Sequence, residues 1–257
     1  MNSENSVISN AMLLENIKNV YRKISSAAIR SGRNPFDVKL IAVTKTVDVP
    51  KIQEAIELGL RAFGENKIQE AREKFLHLSA QMPDYAVEWH LIGHLQKNKA
   101  KAAVQLFDLI HSLDSASLAE EINRHAEKLG KIQRVLIQVK LSEEESKYGI
   151  PGEILTELLQ EVSGMKHLTV EGLMTMPPFF DNPEMARPFF RKLRELRDTA
   201  EGEGFKLPEL SMGMTHDFEA AILEGATMVR IGTGIFGERV NPKSADITDR
   251  DSESSSE

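Results

Sequence analysis

One lysine and one arginine lie next to or inside apolar segments, where a charged side chain needs a partner or a function. Lys45 follows the apolar, β-branched run 38–44, and Arg230 interrupts an apolar run near the end of the chain. A lysine that is partly desolvated by such neighbours has a lowered pKa, and its neutral amine attacks carbonyls to form a Schiff base. A guanidinium inside a buried strand must be paired or must serve a ligand. The alternatives are a solvated lysine at a strand end and an ion pair of Arg230 with Glu65 or Glu171.

Two short segments rich in glycine and hydroxyl groups follow the last two apolar runs of the chain. They are residues 211–215 (Ser-Met-Gly-Met-Thr) and 232–234 (Gly-Thr-Gly). Glycine lets backbone N–H groups approach a phosphate closely, and Thr233 adds a hydroxyl. In a (β/α)₈ barrel, the loops after strands seven and eight are where phosphate usually binds. The two segments together predict a phosphate site, and the alternative is a pair of ordinary strand-to-helix turns.

Two further polar residues lie at or in apolar runs, and both have two interpretations. Asn66 follows the second run and either contacts a ligand or caps the next helix, the commoner use of asparagine there. His90 lies in the third run as a ligand contact or, more commonly, as a hydrogen-bonded core histidine. The chain has no cysteine, and its seven histidines show no metal-binding spacing, so we expect neither a thiol nucleophile nor a metal site.

Eight short apolar runs alternate with helical patterns, and the candidate site residues lie in these runs or just after them. The runs cover residues 38–44, 60–64, 88–93, 106–113, 134–141, 168–174, 209–212 and 228–232. Such alternation predicts a parallel sheet, either closed as a (β/α)₈ barrel or open and doubly wound. The number eight, with no G-x-G-x-x-G motif after the first run, favours the barrel. The spacing of apolar residues from Leu13 to Ala28 predicts an extra N-terminal helix, and Ser117 with Glu120 resembles a capping box.

The composition of the chain limits the classes of partner that we expect it to bind. It has 257 residues, with 32 Lys and Arg against 39 Asp and Glu and a net charge of −7, which disfavours a nucleic-acid binder. No apolar run is long enough to span a membrane, and the N-terminus lacks a signal-peptide pattern, so we expect a cytoplasmic protein. We expect a flexible N-terminus (1–10), one domain (11–240) and a disordered, acidic, Ser-rich tail (241–257).

Several ordered motifs across residues 10–240 resemble the pyridoxal-phosphate homeostasis proteins, the YggS/PROSC family. The motifs are Val43-Thr-Lys-Thr, Phe63-Gly-Glu-Asn, Gln69-Glu, Trp89-His-Leu-Ile-Gly, Leu95-Gln-Lys-Asn-Lys, Glu171-Gly-Leu-Met-Thr-Met-Pro, Ser211-Met-Gly-Met, and Val229-Arg-Ile-Gly-Thr with Phe236-Gly. The sequence departs from the family pattern where Lys67 replaces a common tyrosine, Thr215 a serine and His94 a proline. The tail lies outside the family pattern.

The resemblance implies a single TIM barrel of the alanine racemase N-terminal type. It also implies pyridoxal 5′-phosphate (PLP) held as a Schiff base on Lys45, with Arg230 near the pyridine nitrogen. The other cofactor contacts that it implies are Asn66, His90, Met174, Ser211, Gly213, Thr215, Gly232 and Thr233. An arginine in that place keeps the nitrogen unprotonated and weakens the ring as an electron sink. The family is thought to buffer or deliver the cofactor, with PLP-dependent apo-enzymes as recipients, and we expect a monomer without robust catalysis.

Two other functions compete with this one. A PLP enzyme such as an amino-acid racemase needs a second acid or base opposite Lys45, commonly a tyrosine from another domain or subunit. Tyr148 is the one tyrosine placed near the correct face. A Schiff-base aldolase without cofactor would also use a lysine, but it leaves Arg230 unexplained.

Overall fold

The computed structural model describes residues 2–142 and 148–238, with side chains described from residue 11 onward. The predicted tail at 241–257 lies outside the described residues. The strands are β1 Lys39–Val43, β2 Ala62–Glu65, β3 Glu88–Leu91, β4 Leu109–Leu113, β5 Gln133–Lys140, β6 Ile150–Pro151, β7 Leu168–Met174, β8 Glu209–Met214 and β9 Met228–Ile231. The helices are α1 Asn2–Arg30, α2 Val49–Glu57, α3 Ile68–Gln81, α4 Ala100–Leu106, α5 Ala116–Lys128, α6 Leu155–Val162, α7 Arg187–Gly202, α8 Phe218–Leu223 and α9 Thr233–Phe236.

Eight parallel strands close into a barrel. Their order is β4-β3-β2-β1-β9-β8-β7-β5, and a parallel pairing of β4 with β5 closes the ring. The two-residue strand β6 pairs with β5 alone. Each of the eight apolar runs overlaps one barrel strand, so the predicted (β/α)₈ barrel is confirmed. Among the helices of the described residues, none is long and apolar enough to cross a membrane.

Helix α1 is the additional helix that the N-terminal spacing predicts. Its buried residues Leu13, Ile17, Val20 and Ile24 recur every three or four positions, which places them on one face. This face packs against α8 and α9. The helix begins at Asn2 and so includes most of the first ten residues, for which the sequence analysis expected a flexible segment.

The start of α5 differs from the prediction. The helix is capped by Ser115, whose side chain accepts a hydrogen bond from the backbone N–H of Leu118. The predicted capping box of Ser117 and Glu120 is therefore wrong, because Ser117 already lies inside the first turn. The helix ends at Lys128, and Gly130 follows with a φ of +63°, a left-handed conformation that glycine adopts at low cost.

The barrel interior holds both an apolar cluster and polar groups that reach from one end toward the other. The apolar cluster contains Ile41, Ala62, Leu109, Leu136, Met174 and Met228. At the N-terminal end of the strands, Lys39, Glu88, Arg134 and Glu171 form ion pairs. A second polar group, His90, His111, Ser211 and Arg230, is joined by hydrogen bonds. Several of these contacts join strands that are not neighbours in the sheet, which shows that the side chains point inward.

Candidate functional site

Lys45 lies just beyond the C-terminal end of β1, at the face where active sites of such barrels are built. Its side chain is half-buried. The next residue, Thr46, has a φ of +64° and is the one non-glycine residue with a positive φ in the part of the chain that the structure describes. A β-branched residue in this conformation is strained, and the surrounding structure has to hold it there.

A buried lysine on α3 holds the backbone before Lys45. Lys74 is only 6% exposed, and its Nζ donates to the carbonyl of Thr44 at 2.6 Å. The same ammonium donates to Glu65 Oε1 at 2.8 Å and to Glu70 Oε1 at 2.7 Å. Burial raises the pKa of Glu65, and the hydrogen bonds from Lys74 and Thr44 offset part of that effect. Lys74 therefore joins the end of β1, the end of β2 and helix α3.

Glu70 holds the backbone after Lys45. Its Oε1 accepts the backbone N–H of Thr46 at 2.5 Å. Burial acts to raise the pKa of Glu70, but hydrogen bonds from Lys74 and Thr46 outweigh it, and the pKa is lowered. We call Lys74, Glu65 and Glu70 the lysine clamp, because they fix both neighbours of Lys45.

Arg230 points into the barrel from β9, which pairs directly with β1. It is 3% exposed, and it donates to Ser211 Oγ at 2.5 Å and to the Thr175 carbonyl at 2.9 Å. Desolvation lowers the pKa of Arg230 to about 10, so the group keeps its charge at neutral pH. Among the residues that the structure describes, no carboxylate forms an ion pair with it.

The ion-pair alternative for Arg230 is wrong because both carboxylates proposed for it have other partners. Glu65 pairs with Lys74, and Glu171 pairs with Arg134 at 2.8 Å. Arg230 is thus a buried cation whose hydrogen-bond partners are neutral, and the buried carboxylate of Asp217 acts on it without an ion pair. Such a group is costly unless a ligand completes its environment.

His90 lies in a hydrogen-bonded network inside the barrel. The ring is fully buried, and its Nδ1 lies 2.8 Å from Nε2 of His111. Nδ1 of His111 lies 2.9 Å from Ser211 Oγ. This arrangement favours the core interpretation of His90. Sequence analysis missed His111, although it gives the same signal, a histidine inside an apolar strand run.

The two predicted phosphate loops meet at one hydrogen bond. The backbone N–H of Gly234 donates to Thr215 Oγ1 at 3.4 Å. Gly213 has a φ of +91°, and a Cβ there would lie 2.6 Å from Cβ of Ala221. Its lack of a side chain therefore lets α8 pack closely behind the first loop. In the second loop, a Cβ on Gly232 would meet nothing nearer than 3.6 Å.

Three more residues complete the comparison with the sequence predictions. The structure turns the Ser211 hydroxyl toward Arg230 and His111, inside the barrel. Thr233 is exposed at the start of α9. Met174 is fully buried in the central apolar cluster.

Asn66 carries an unmet hydrogen-bonding group at the end of β2. Its Oδ1 is buried and has no partner among the described residues. The helix that follows has Lys67 as its N-cap and no side-chain cap, so the capping alternative is not observed. A buried amide oxygen without a donor is unusual in a folded protein, and a ligand donor would satisfy it.

Aromatic residues line part of the rim. The rings of His94 and Tyr148 stack with centroids 3.7 Å apart, and His94 Nδ1 lies 3.4 Å from Asp114. Tyr148 is 55% exposed. A cavity of about 950 Å³ lies instead at the opposite end of the barrel, where Lys39, Glu88 and Arg134 are among its lining residues.

Sequence comparisons place the chain among known proteins. Residues 13–240 match the family model of the alanine racemase N-terminal domain. A pyridoxal phosphate homeostasis protein of Aquifex aeolicus is 47% identical over 226 residues, covering 88% of this chain and 97% of that protein. The protein of the same name from Escherichia coli is 40% identical over 230 residues, with coverages of 88% and 97%.

Structural comparisons agree. PipY of Synechococcus elongatus, solved with PLP bound, has a TM-score of 0.74 and 38% identity, covering 85% of this chain and all of that chain (100%). Alanine racemase of Clostridium difficile shares the fold, with a TM-score of 0.65 at 15% identity over 90% of this chain and 58% of its own. The resemblance seen in the motifs is confirmed, and the chain belongs to the family of pyridoxal phosphate homeostasis proteins, with a barrel of the alanine racemase N-terminal type.

Proposed function

We propose that this protein binds PLP as a Schiff base on Lys45 and takes part in PLP homeostasis in the cytoplasm. One juxtaposition carries the proposal: a half-buried lysine lies just beyond the end of β1, and a buried arginine whose hydrogen-bond partners are neutral lies on the paired strand β9. The comparisons support it, since PipY is solved with PLP bound and the curated relatives are named for PLP homeostasis.

The residues present fit this cofactor. PLP supplies an aldehyde that a lysine amine attacks, a phosphate, and an electron-withdrawing ring. Thr215, Thr233 and the backbone of Gly232 offer hydroxyl and N–H donors for the phosphate. The buried Oδ1 of Asn66 offers an acceptor to the ligand.

Arg230 is assigned to the ring nitrogen. A cation there keeps the nitrogen unprotonated, which weakens the ring as an electron sink. Ser211 is assigned to holding Arg230, rather than to the phosphate, because Arg230 and His111 are its partners. Gly213 acts through the packing of α8 behind the phosphate loop. His90 and Met174 act from inside the barrel.

These assignments describe a carrier of PLP without robust catalysis, which delivers the cofactor to apo-enzymes. A racemase would need a second acid or base aimed at the lysine. The candidate for that role, Tyr148, is stacked flat on His94 at the rim, with ring planes 9° apart. No observation therefore favours the racemase alternative.

A titration with matched lysine variants tests the proposal. PLP is added to the cofactor-free full-length protein, and the visible absorption of the complex is recorded for wild type, Lys45→Ala and Lys67→Ala. Lys67 is exposed at the start of α3 and serves as the control. We expect a saturable band in wild type and Lys67→Ala, and no such band in Lys45→Ala with an unchanged circular dichroism spectrum. An unchanged band in Lys45→Ala would refute the anchor, and no saturable binding by wild type would refute the function.

A further inference from the structure

A continuous chain of polar groups crosses the barrel interior from one end toward the other. Nε2 of His90 lies 3.4 Å from Glu88 Oε1, and its Nδ1 lies 2.8 Å from Nε2 of His111. His111 Nδ1 lies 2.9 Å from Ser211 Oγ, which Arg230 contacts at 2.5 Å. We call these five residues the interior relay. It begins in the ion-pair cluster at the N-terminal end and ends at the arginine assigned to PLP.

The relay is buried where an apolar side chain would pack more simply. His90, His111 and Ser211 are fully buried, and Arg230 is 3% exposed. Polar groups in such a place cost free energy unless they are satisfied, and hydrogen bonds between them rigidify the network. Within the relay, His90 Nε2 is the one buried side-chain nitrogen or oxygen without a hydrogen bond to a described residue. An apolar layer directly adjacent shows that this barrel can fill its interior with hydrocarbon. The relay therefore needs a reason beyond packing.

The hydrogen-bond donors and acceptors of the relay are consistent with donation in one direction, from Arg230 toward Glu88. A guanidinium only donates, so Ser211 Oγ accepts from Arg230, and its own hydroxyl proton is left for His111 Nδ1. His111 then donates from Nε2 to His90 Nδ1, and Nε2 of His90, which carries the remaining proton, faces Glu88 Oε1 at 3.4 Å without a hydrogen bond. The reverse direction would set the lone pair of His90 Nε2 against the carboxylate of Glu88, which is repulsive.

We propose that His90 and His111 are positioning residues for Arg230. They hold the Ser211 hydroxyl with its oxygen toward the guanidinium, which fixes the direction in which Arg230 presents its remaining N–H groups. The negative end of the relay is Glu88, so the hydrogen-bonded dipoles from Arg230 to His90 all run toward that carboxylate, which lies 3.4 Å from His90 Nε2. The role toward PLP rests on the proposed function, whereas the placement of the protons does not.

The charged groups around the relay are consistent with two neutral imidazoles. His90 faces Glu88, Lys39, Arg134 and His111, and His111 is acted on by His90, Arg230, Glu88 and Lys39. Burial lowers the pKa of both rings, and neighbouring cations act in the same direction. Glu88 opposes this effect at His90 without overcoming it.

Nitrogen-15 NMR of the histidine rings in the cofactor-free protein tests the placement of the protons. We expect both His90 and His111 to be neutral Nε2–H tautomers at about pH 8. A Nδ1–H tautomer or an imidazolium at either ring would overturn the proposal. This result is obtained without PLP, so it stands apart from the proposed function.

Two substitutions at His111 test the positioning role. His111→Phe fills the space but cannot hydrogen-bond, and we expect about tenfold weaker PLP binding and a shifted absorption band of the complex. His111→Gln keeps a donor and an acceptor, and it should bind PLP within about threefold of wild type. If both variants bind PLP like wild type and keep its absorption band, the proposal is wrong.

A matched pair at the far end remains informative even where His111→Phe fails to fold. Glu88→Gln and Glu171→Gln remove the same charge, and both lose an ion pair with Arg134, but only Glu88 belongs to the relay. We expect Glu88→Gln to shift the absorption band of bound PLP and Glu171→Gln to leave it in place. Equal effects of the two variants would contradict the relay. If wild type binds no PLP, the proposed function fails, and the NMR result alone decides the relay.

Discussion

The two ends of the barrel use the same kinds of charged residue in opposite ways. At the N-terminal end, Lys39 and Arg134 pair with Glu88 at 2.8 Å and 2.5 Å, and Arg134 also pairs with Glu171. Two cations meet two anions. His90 together with Lys39 and Arg134 lowers the pKa of Glu88, and Glu171 and Glu88 raise that of Arg134. At the other end, Arg230 donates hydrogen bonds to the neutral groups Ser211 and Thr175, and in the described part of the chain the buried carboxylate of Asp217 acts on it without an ion pair. A cluster of paired charges stabilises the fold, whereas a buried charge without an ion pair is suited to binding a ligand.

The large cavity and the residues assigned to PLP lie at opposite ends of the barrel. The cavity of about 950 Å³ lies at the N-terminal end, where the cations are already paired. The C-terminal end instead has strained backbone at Thr46 and the unpartnered amide oxygen of Asn66.

The largest effect is expected from breaking the lysine clamp. Lys74→Met removes three hydrogen bonds and leaves the fully buried Glu65 without its cation, which should cost about 3 kcal/mol in the free energy of unfolding. Lys39→Met at the other end is the control. Its side chain is 39% exposed and Arg134 still pairs with Glu88, so it should cost less than about 1 kcal/mol. Urea denaturation measures both, and equal losses would refute the contrast.

The second prediction separates ligand binding from stability. Arg230→Leu should weaken PLP binding about tenfold to a hundredfold, because a charged hydrogen bond to the ligand is lost. Arg134→Leu should lower the free energy of unfolding by about 1 kcal/mol and change PLP affinity less than twofold. Equilibrium titration measures the PLP affinity of both variants, and urea denaturation measures their free energies of unfolding. If Arg134→Leu weakens PLP binding as much as Arg230→Leu does, the two ends do not differ in function.

The third prediction uses the interior relay that joins the two ends. Burial lowers the pKa of His90 and His111 in the folded protein. In the unfolded chain, histidines have a pKa of about 6.5. Below about pH 6.5 the unfolded state binds more protons, so stability falls as the pH falls, by at most about 1.4 kcal/mol per pH unit for each histidine. In His111→Gln, the slope between pH 6.5 and 5 should be smaller. Identical slopes in both proteins would show that His111 does not stay neutral.

The smallest effect concerns the strain next to Lys45. Thr46→Gly relieves the positive φ and should raise the free energy of unfolding by about 0.5 kcal/mol, while PLP binds less tightly because Lys45 is held less firmly. Val47→Gly is the control at a neighbouring position without positive φ, and it should destabilise the protein. Thermal unfolding compares the two. A loss of stability in Thr46→Gly equal to that in Val47→Gly would mean that Thr46 stores no strain.

Sequence analysis predicts the barrel and part of the site, because both depend on local pattern. Alternation along β9 places Arg230 inside, and the ends of apolar runs locate Lys45 and Asn66. The capping error at Ser117 arises because Ser115, two residues earlier, also suits an N-cap.

The remainder depends on contacts between distant parts of the chain. His111 and Ser211 are 100 residues apart, and their hydrogen bond has no local signal. Lys74 looks like any helix lysine until the fold brings its ammonium against the carbonyl of Thr44. The supporting residues of this site therefore require the structure, whereas its principal charged groups do not.

Borohydride reduction of the PLP-loaded protein, followed by peptide mass mapping, tests the central claim most directly. Reduction converts a Schiff base into a stable secondary amine on the lysine that carried it. We expect a single pyridoxyl-phosphate adduct, on the peptide that contains Lys45. An adduct on Lys67 or another lysine, or no adduct after incubation with PLP, would contradict the assignment of this end of the barrel as the cofactor site.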